Sequence, residues 1–117
     1  MLRVFCKSKI SNAFITKKEM RYSGSIGIDK SIMEGADIMS GEQVQVLNLN
    51  NGERFSTYAI EEKEDSGKIV LYGPAVRRGE EGDEIVILSY CMMETKERHN
   101  FSMRVLTLGK NNQCKNK

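Results

Sequence analysis

Apolar and polar residues alternate most clearly in the middle of the chain. Across residues 43–49, Val44 and Val46 are separated by polar neighbours, Asn51-Gly52 follows, and residues 54–60 resume the alternation. Successive side chains on a strand point to opposite faces, and Asn-Gly supplies the two positive-φ positions of a tight turn, so the segment predicts a β-hairpin. On its second strand Phe55, Thr57 and Ala59 share one face while Arg54, Ser56, Tyr58 and Ile60 share the other.

The same pattern predicts further strands. Asp65-Ser66-Gly67 is a turn before a strand over 68–72, and a Gly- and acid-rich stretch over 78–83 precedes the most apolar strand, 84–91, expected at the centre of the sheet. At the front, Leu2, Val4 and Cys6 alternate with Arg3, Phe5 and Lys7, and 13–16, 26–28 and 101–108 are shorter strand candidates. One helix is signalled, over 30–36, with Asp29 as N-cap and Ile32, Met33 and Ala36 as its apolar stripe. Residues 110–117 (KNNQCKNK) are too polar to bury anything and read as a frayed tail. With no repeat and no linker, the pattern predicts one mainly β domain over residues 1–117 with short helices.

Composition narrows the function classes. The chain has 117 residues, 39% of them hydrophobic, which suits one compact core. Eighteen Lys and Arg against sixteen Asp and Glu leave a net charge of +2, too small a basic excess to mark a nucleic-acid or anionic-membrane partner. The longest clean apolar runs fall far short of the roughly 20 residues of a membrane span, and Arg3, Lys7 and Lys9 interrupt any signal-like segment, so a soluble, cytoplasmic protein is expected. Three cysteines without CxxC spacing and the single histidine, His99, argue against a disulfide framework, a zinc site and a His-based nucleophilic triad.

Two blocks carry a more specific signal: Arg21-Tyr22-Ser23-Gly24-Ser25-Ile26-Gly27-Ile28-Asp29 and Asn50-Asn51-Gly52-Glu53-Arg54-Phe55-Ser56-Thr57-Tyr58-Ala59-Ile60. Together with Lys7-Ser8-Lys9-Ile10 and Gly82-Asp83-Glu84-Ile85-Val86-Ile87, in this order and spacing over roughly residues 1–95, the chain resembles the pyruvoyl-dependent aspartate 1-decarboxylases. As an isolated dipeptide Gly24-Ser25 reads only as a turn, and Arg54 and Tyr58 as an exposed cation and an edge aromatic. Their register with the family is what gives them chemistry.

The resemblance implies a six-stranded double-psi β-barrel with short helices, assembled as a homotetramer with the pocket between subunits. It implies cleavage between Gly24 and Ser25 into chains 1–24 and 25–117, with Ser25 attacking the Gly24 carbonyl, Thr57 polarising that carbonyl, and Ser25 ending as a pyruvoyl group. The activity implied is decarboxylation of L-aspartate to β-alanine and CO2 through a Schiff base, supplying pantothenate biosynthesis, with no metal and no pyridoxal phosphate. Arg54 would grip the substrate's side-chain carboxylate, since a guanidinium pairs two-to-two with a carboxylate, and Tyr58 would return the proton. Lys9 and Tyr22 would line the substrate site, with Gly73 and Ala75 in a turn against the pyruvoyl group. A small amino acid is the implied ligand, and a maturation factor is a further candidate partner.

Four positions depart from the family pattern. The family usually has His-Arg where this chain has Ser11-Asn12, and Asn followed by Gly-Ala where it has Tyr72 followed by Gly73-Pro74. Lost cations weaken attraction for a dianion and a ring adds bulk near the reacting carbon, unless Lys9, Arg54 and Arg77 or Arg78 compensate. Two alternatives therefore stand beside the decarboxylase: a relative with a shifted amino-acid substrate, and an uncleaved, non-catalytic β-barrel assembly module.

Overall fold

A computed structural model describes residues 1–21 and 24–114. In chain order the strands are β1 (Leu2–Phe14), β2 (Lys17–Glu19), β3 (Ser25–Asp29), β4 (Gln43–Asn48), β5 (Arg54–Glu62), β6 (Ile69–Tyr72), β7 (Glu84–Glu94) and β8 (Arg104–Thr107). Helix α1 (Lys30–Gly35) follows β3, and short 3-10 helices cover Gly73–Arg78, Thr95–Asn100 and Lys110–Asn112. A mainly β single domain with few short helices is the observed architecture.

The strands hydrogen-bond in the order β2-β6-β3-β5-β4-β7-β1-β8. Eight strands among the described residues replace the expected six. Both edge strands run parallel to their neighbours: β2 to β6, and β8, the narrower form of the strand expected over 101–108, to β1. Lys17-Lys18-Glu19 has no apolar alternation, so its strand character comes from pairing with β6 rather than from pattern. No strand pairing joins β2 to β8 among the described residues.

The central hairpin forms as expected, with Val44 opposite Thr57 and Val46 opposite Phe55. Its turn differs. Of Asn51 and Gly52 only Gly52 takes a positive φ, 77°. The loop is longer than two residues because the Asn48 side chain caps it, its Oδ1 accepting from Asn50 N at 2.8 Å, while Asn48 N donates to Glu53 O at 2.8 Å. Strand β7 is central, pairing with β4 on one side and β1 on the other. Strand β1 runs through the expected gap as one long element to Phe14, with a register shift between Ile10 and Ala13 where Asn12 adopts φ 60°.

Helix α1 begins where the sequence places it. Asp29 accepts from Ser31 N at 2.8 Å as N-cap, and Ile32, Met33 and Ala36 are buried. The same carboxylate also accepts from Asp65 N and Gly67 N, so one buried side chain ties β3, α1 and the turn before β6 together. The core lies between the inner faces of the strands, around Ile10, Ile26, Ile28, Ile69, Leu71, Ile85 and Ile87, all fully buried.

The expectation of a tail that buries nothing is corrected at Asn112. This residue is 1% exposed, donates to the carbonyls of Phe14 (2.8 Å) and Gly67 (2.9 Å), and accepts from Phe14 N. Polarity alone misled because an amide carries both donors and acceptors and is buried cheaply when all are met. Leu108 pairs with Cys114 beyond it. Residues 115–117 of the expected tail lie outside the described residues.

Candidate active site

Ser25 opens β3 and is fully buried. It sits between two strands: Tyr72 of β6 is its antiparallel partner, and on the other side the parallel register pairs Ile26 with Ala59, which sets Tyr58 beside Ser25. Cross-strand partners share a face. Ile26, Ala59 and Leu71 point into the core, so Ser25, Tyr58 and Tyr72 belong to the opposite, outer side of the sheet.

Gly24, just before it, borders a depression of about 440 Å³ that also touches Phe55, Ser56, Thr57, Pro74, Ala75, Arg77 and Arg78. Thr57 and Ala75 thus border the same depression as Gly24. A Cβ at Gly24 would stand 3.4 Å from Pro74 Cδ, an ordinary contact. Gly73, by contrast, needs to be glycine: its φ is 63°, and it starts the 3-10 helix that carries Pro74 and Ala75 to the depression.

Arg54 and Tyr58 share the outer face of β5, as period two requires, and both are exposed. Neither borders the depression around Gly24. Lys9 lies further off. Lys9 pairs with Leu88, Leu88 with Gln45 and Gln45 with Ser56, which puts Lys9 on the same outer face but three strands away, roughly 14 Å at the usual strand spacing. Neither Arg54 nor Lys9 makes an ion pair among the described residues, so both are available to an anion. Tyr22 lies outside the described residues.

The departures from the family pattern have structural occupations. Ser11 Oγ lies 3.3 Å from Thr107 Oγ1, and Asn12 Nδ2 donates to Leu108 O at 2.6 Å, so both secure β8 against β1. The half-buried Tyr72 donates from its hydroxyl to Glu62 Oε2 at 2.6 Å.

Three contacts of the site are not given by the sequence pattern. Pro74 closes over Gly24, which no local pattern announces. Phe55 lies under Arg78, whose guanidinium carbon is 6.0 Å from the ring centre and which also pairs with Glu53. That leaves Arg77, exposed and without an ion pair among the described residues, as a cation of the depression itself. Glu62 was the third, and only its place on the Tyr58 face pointed to it. A second depression, of about 330 Å³, lies by Val4, Gln43, Gln45 and Tyr90; its carboxylate, Glu42, is already bonded to Lys7 at 2.8 Å, so it presents no free charge.

Comparisons with known proteins place the whole chain in one family. The family described as Aspartate decarboxylase matches residues 1–115. A protein of Thermoanaerobacter pseudethanolicus named Aspartate 1-decarboxylase is 48% identical over 113 residues, covering 97% of this chain and 97% of that protein. One of the same name from Coxiella burnetii is 54% identical over 99 residues, covering 84% and 89%. Another, from Ralstonia nicotianae, is 39% identical over 115 residues, covering 98% and 96%.

Proposed function

The chain belongs to the aspartate decarboxylase family, and we propose that it is a self-processing enzyme that removes the α-carboxylate of L-aspartate as CO2 and releases β-alanine, a pantothenate precursor. The observation that carries this reading is the placement of Ser25: buried at the start of β3, next to a glycine on a depression shared with Thr57, and flanked by Tyr58.

Self-processing uses this chain's own groups. The Ser25 hydroxyl attacks the Gly24 carbonyl while the Thr57 hydroxyl donates to its oxygen, stabilising the charge that develops there. The attack forms an ester between Ser25 Oγ and the Gly24 carbonyl carbon as the Gly24–Ser25 C–N bond breaks. Loss of the Ser25 α-proton with cleavage of the ester's Cβ–O bond then frees chain 1–24 as a carboxylate, and hydrolysis of the dehydroalanine left behind consumes one water and releases ammonia, so that chain 25–117 begins with a pyruvoyl group in place of Ser25. The residues fit such a group: the position is buried, with Gly24 bordering an open depression rather than packed core. When formed, the pyruvoyl carbonyl supplies an electron sink for the bond that breaks, without metal or pyridoxal phosphate. Arg54 holds the side-chain carboxylate through its planar fork, Lys9 adds positive charge at the site, Tyr22 shapes it, Gly73 and Ala75 supply backbone along its wall, and Tyr58 donates the proton to the α-carbon.

A site divided between copies of the chain suits this geometry. Lys9 and Arg54 lie on the outer face of the sheet, and neither borders the depression at Gly24. Paired Val4 and Met92, 64% and 65% exposed, add apolar surface to that same face. A homotetramer in which one copy's outer face meets the Gly24 end of another brings the two halves together. Within it the six inner strands, β6-β3-β5-β4-β7-β1, would form the double-psi barrel, with β2 and β8 as additions at its edges. The three free thiols accord with a cytoplasmic setting.

The test is direct. Intact mass of the purified protein, before and after incubation with and without cell extract, should show fragments 1–24 and a pyruvoyl-terminated 25–117, and the processed protein should release CO2 and β-alanine from L-aspartate. Cleavage only with extract would identify a helper for maturation. A chain that stays whole under both conditions and releases no CO2 would leave the uncleaved assembly module as the better reading.

A further inference from the structure

Three residues on three neighbouring strands form a unit beside Ser25. Tyr72 of β6 faces Ser25 across the ladder, Glu62 of β5 faces Asp29, and Gly27 of β3 lies between those two levels. The Tyr72 hydroxyl donates to Glu62 Oε2 at 2.6 Å. Partners in such a ladder have Cβ atoms about 5 Å apart, which puts the Tyr72 ring within reach of Ser25. Its bond to Glu62 aims its hydroxyl toward the Asp29 level of β3 rather than at Ser25.

Gly27 makes the arrangement possible. A Cβ at Gly27 would fall 2.1 Å from Glu62 Oε2 and 2.8 Å from its Cδ, so the carboxylate occupies the space that any other residue would fill. Gly27 takes no positive φ, and its need for glycine is therefore one of space rather than backbone conformation. The missing side chain, the carboxylate and the phenol fit one another.

We propose that Glu62, seated over Gly27, is a positioning residue that draws the Tyr72 ring off Ser25, and that Tyr72 so held is a specificity-determining wall of the substrate site. This rests on the decarboxylase reading of Ser25. Released from Glu62, the ring can swing over Ser25 and compete with the substrate for the same space. Substrate binding, rather than maturation or folding, is what the bond protects.

The experiment is a double-mutant cycle on the matured protein, with processing scored by mass and activity by CO2 release from L-aspartate. Glu62→Ala should mature and keep its thermal midpoint within a few degrees, yet lose about tenfold in kcat/KM, chiefly through KM. Tyr72→Phe should behave alike, and the double variant Glu62→Ala/Tyr72→Phe should be no worse than either single one, because both remove one bond. Glu62→Gln, whose amide oxygen still accepts from the phenol, should recover most of the loss. The proposal is overturned if Glu62→Ala matures with unchanged KM, or if the two single losses multiply in the double variant. Wild-type protein that neither matures nor releases CO2 would overturn the decarboxylase reading and the specificity role with it, whereas active wild type with an indifferent Glu62 overturns only the latter.

Discussion

Asn12 donates from Nδ2 to the Leu108 carbonyl at 2.6 Å while its own backbone sits at φ 60°. Asparagine tolerates the left-handed region that the register shift in β1 requires better than most residues, and its amide secures the chain leaving β8, which pairs with residues 8–11 just before the shift. Asn12 thus has a structural occupation in both its side chain and its backbone.

Asn12→Ala should accordingly destabilise the fold by about 1–2 kcal/mol, combining a left-handed penalty with a lost hydrogen bond. Asn12→Gly keeps the backbone conformation and should cost less. Urea unfolding midpoints give the comparison, and kcat/KM of the folded protein should stay near that of wild type in both. A large change in KM with unchanged stability would place Asn12 in the substrate site instead.

Processing separates the roles of two hydroxyls. Ser25→Ala removes the attacking group and should leave a single full-length chain. Thr57→Val keeps the shape of a half-buried side chain opposite Val44 but removes its hydroxyl, and should slow cleavage by about 100-fold, the scale of one lost donor to a developing oxyanion. Time courses of fragment formation by mass spectrometry measure both. Normal cleavage of the Thr57 variant would mean that another group polarises the Gly24 carbonyl.

Elements whose pattern is internal to a short segment were readable in the sequence: the central hairpin, the capped helix α1 and the apolar strand β7. Elements that exist only through a distant partner were not. Lys17-Lys18-Glu19 becomes a strand because β6 offers a free edge, and Asn112 is buried because Phe14 and Gly67 leave their backbone groups to it. The site divides along the same line. Period two alone put Arg54 and Tyr58 on one face and Thr57 on the other, but the neighbours of Ser25 depend on a parallel register with β5 that no local pattern encodes. Glu62 shows in the sequence only as a member of the Tyr58 face, since its partners Gly27 and Tyr72 lie on two other strands.

Asp83 supplies a pH-dependent element of stability. The Asn48 amide donates to its Oδ2 at 2.9 Å and Glu80 N at 2.9 Å, and these bonds hold its carboxyl below the ordinary aspartate value of 3.8. A depressed folded-state pKa contributes stability that is present above the unfolded value and is lost as pH falls through the lower folded one. Asn48→Ala should therefore move the Asp83 titration upward toward its usual range, as read by NMR of the side-chain carboxyl. Asp83→Asn should make the acid limb of the stability curve shallower below about pH 4. An Asp83 titration unmoved by Asn48→Ala would assign the effect to the Glu80 amide alone.

Arg54 and Tyr58 share a strand face yet should fail differently. A guanidinium that grips a carboxylate acts on bound substrate and transition state alike, so Arg54→Ala should raise KM by about 100-fold with little change in kcat. A phenol that delivers a proton acts only as bonds change, so Tyr58→Phe should lower kcat by about 100-fold with KM nearly constant. Neither change removes packing from the core: Arg54 is exposed and Tyr58 is 38% exposed, so thermal midpoints should remain close to wild type. Steady-state kinetics on fully processed protein decide the matter, since incomplete cleavage would otherwise lower apparent kcat in both. If each variant lost kcat and raised KM to the same degree, the two residues would be acting as one substrate-binding unit, and the proton donor would have to be sought elsewhere, with Tyr72 on the other side of Ser25 the first group to test.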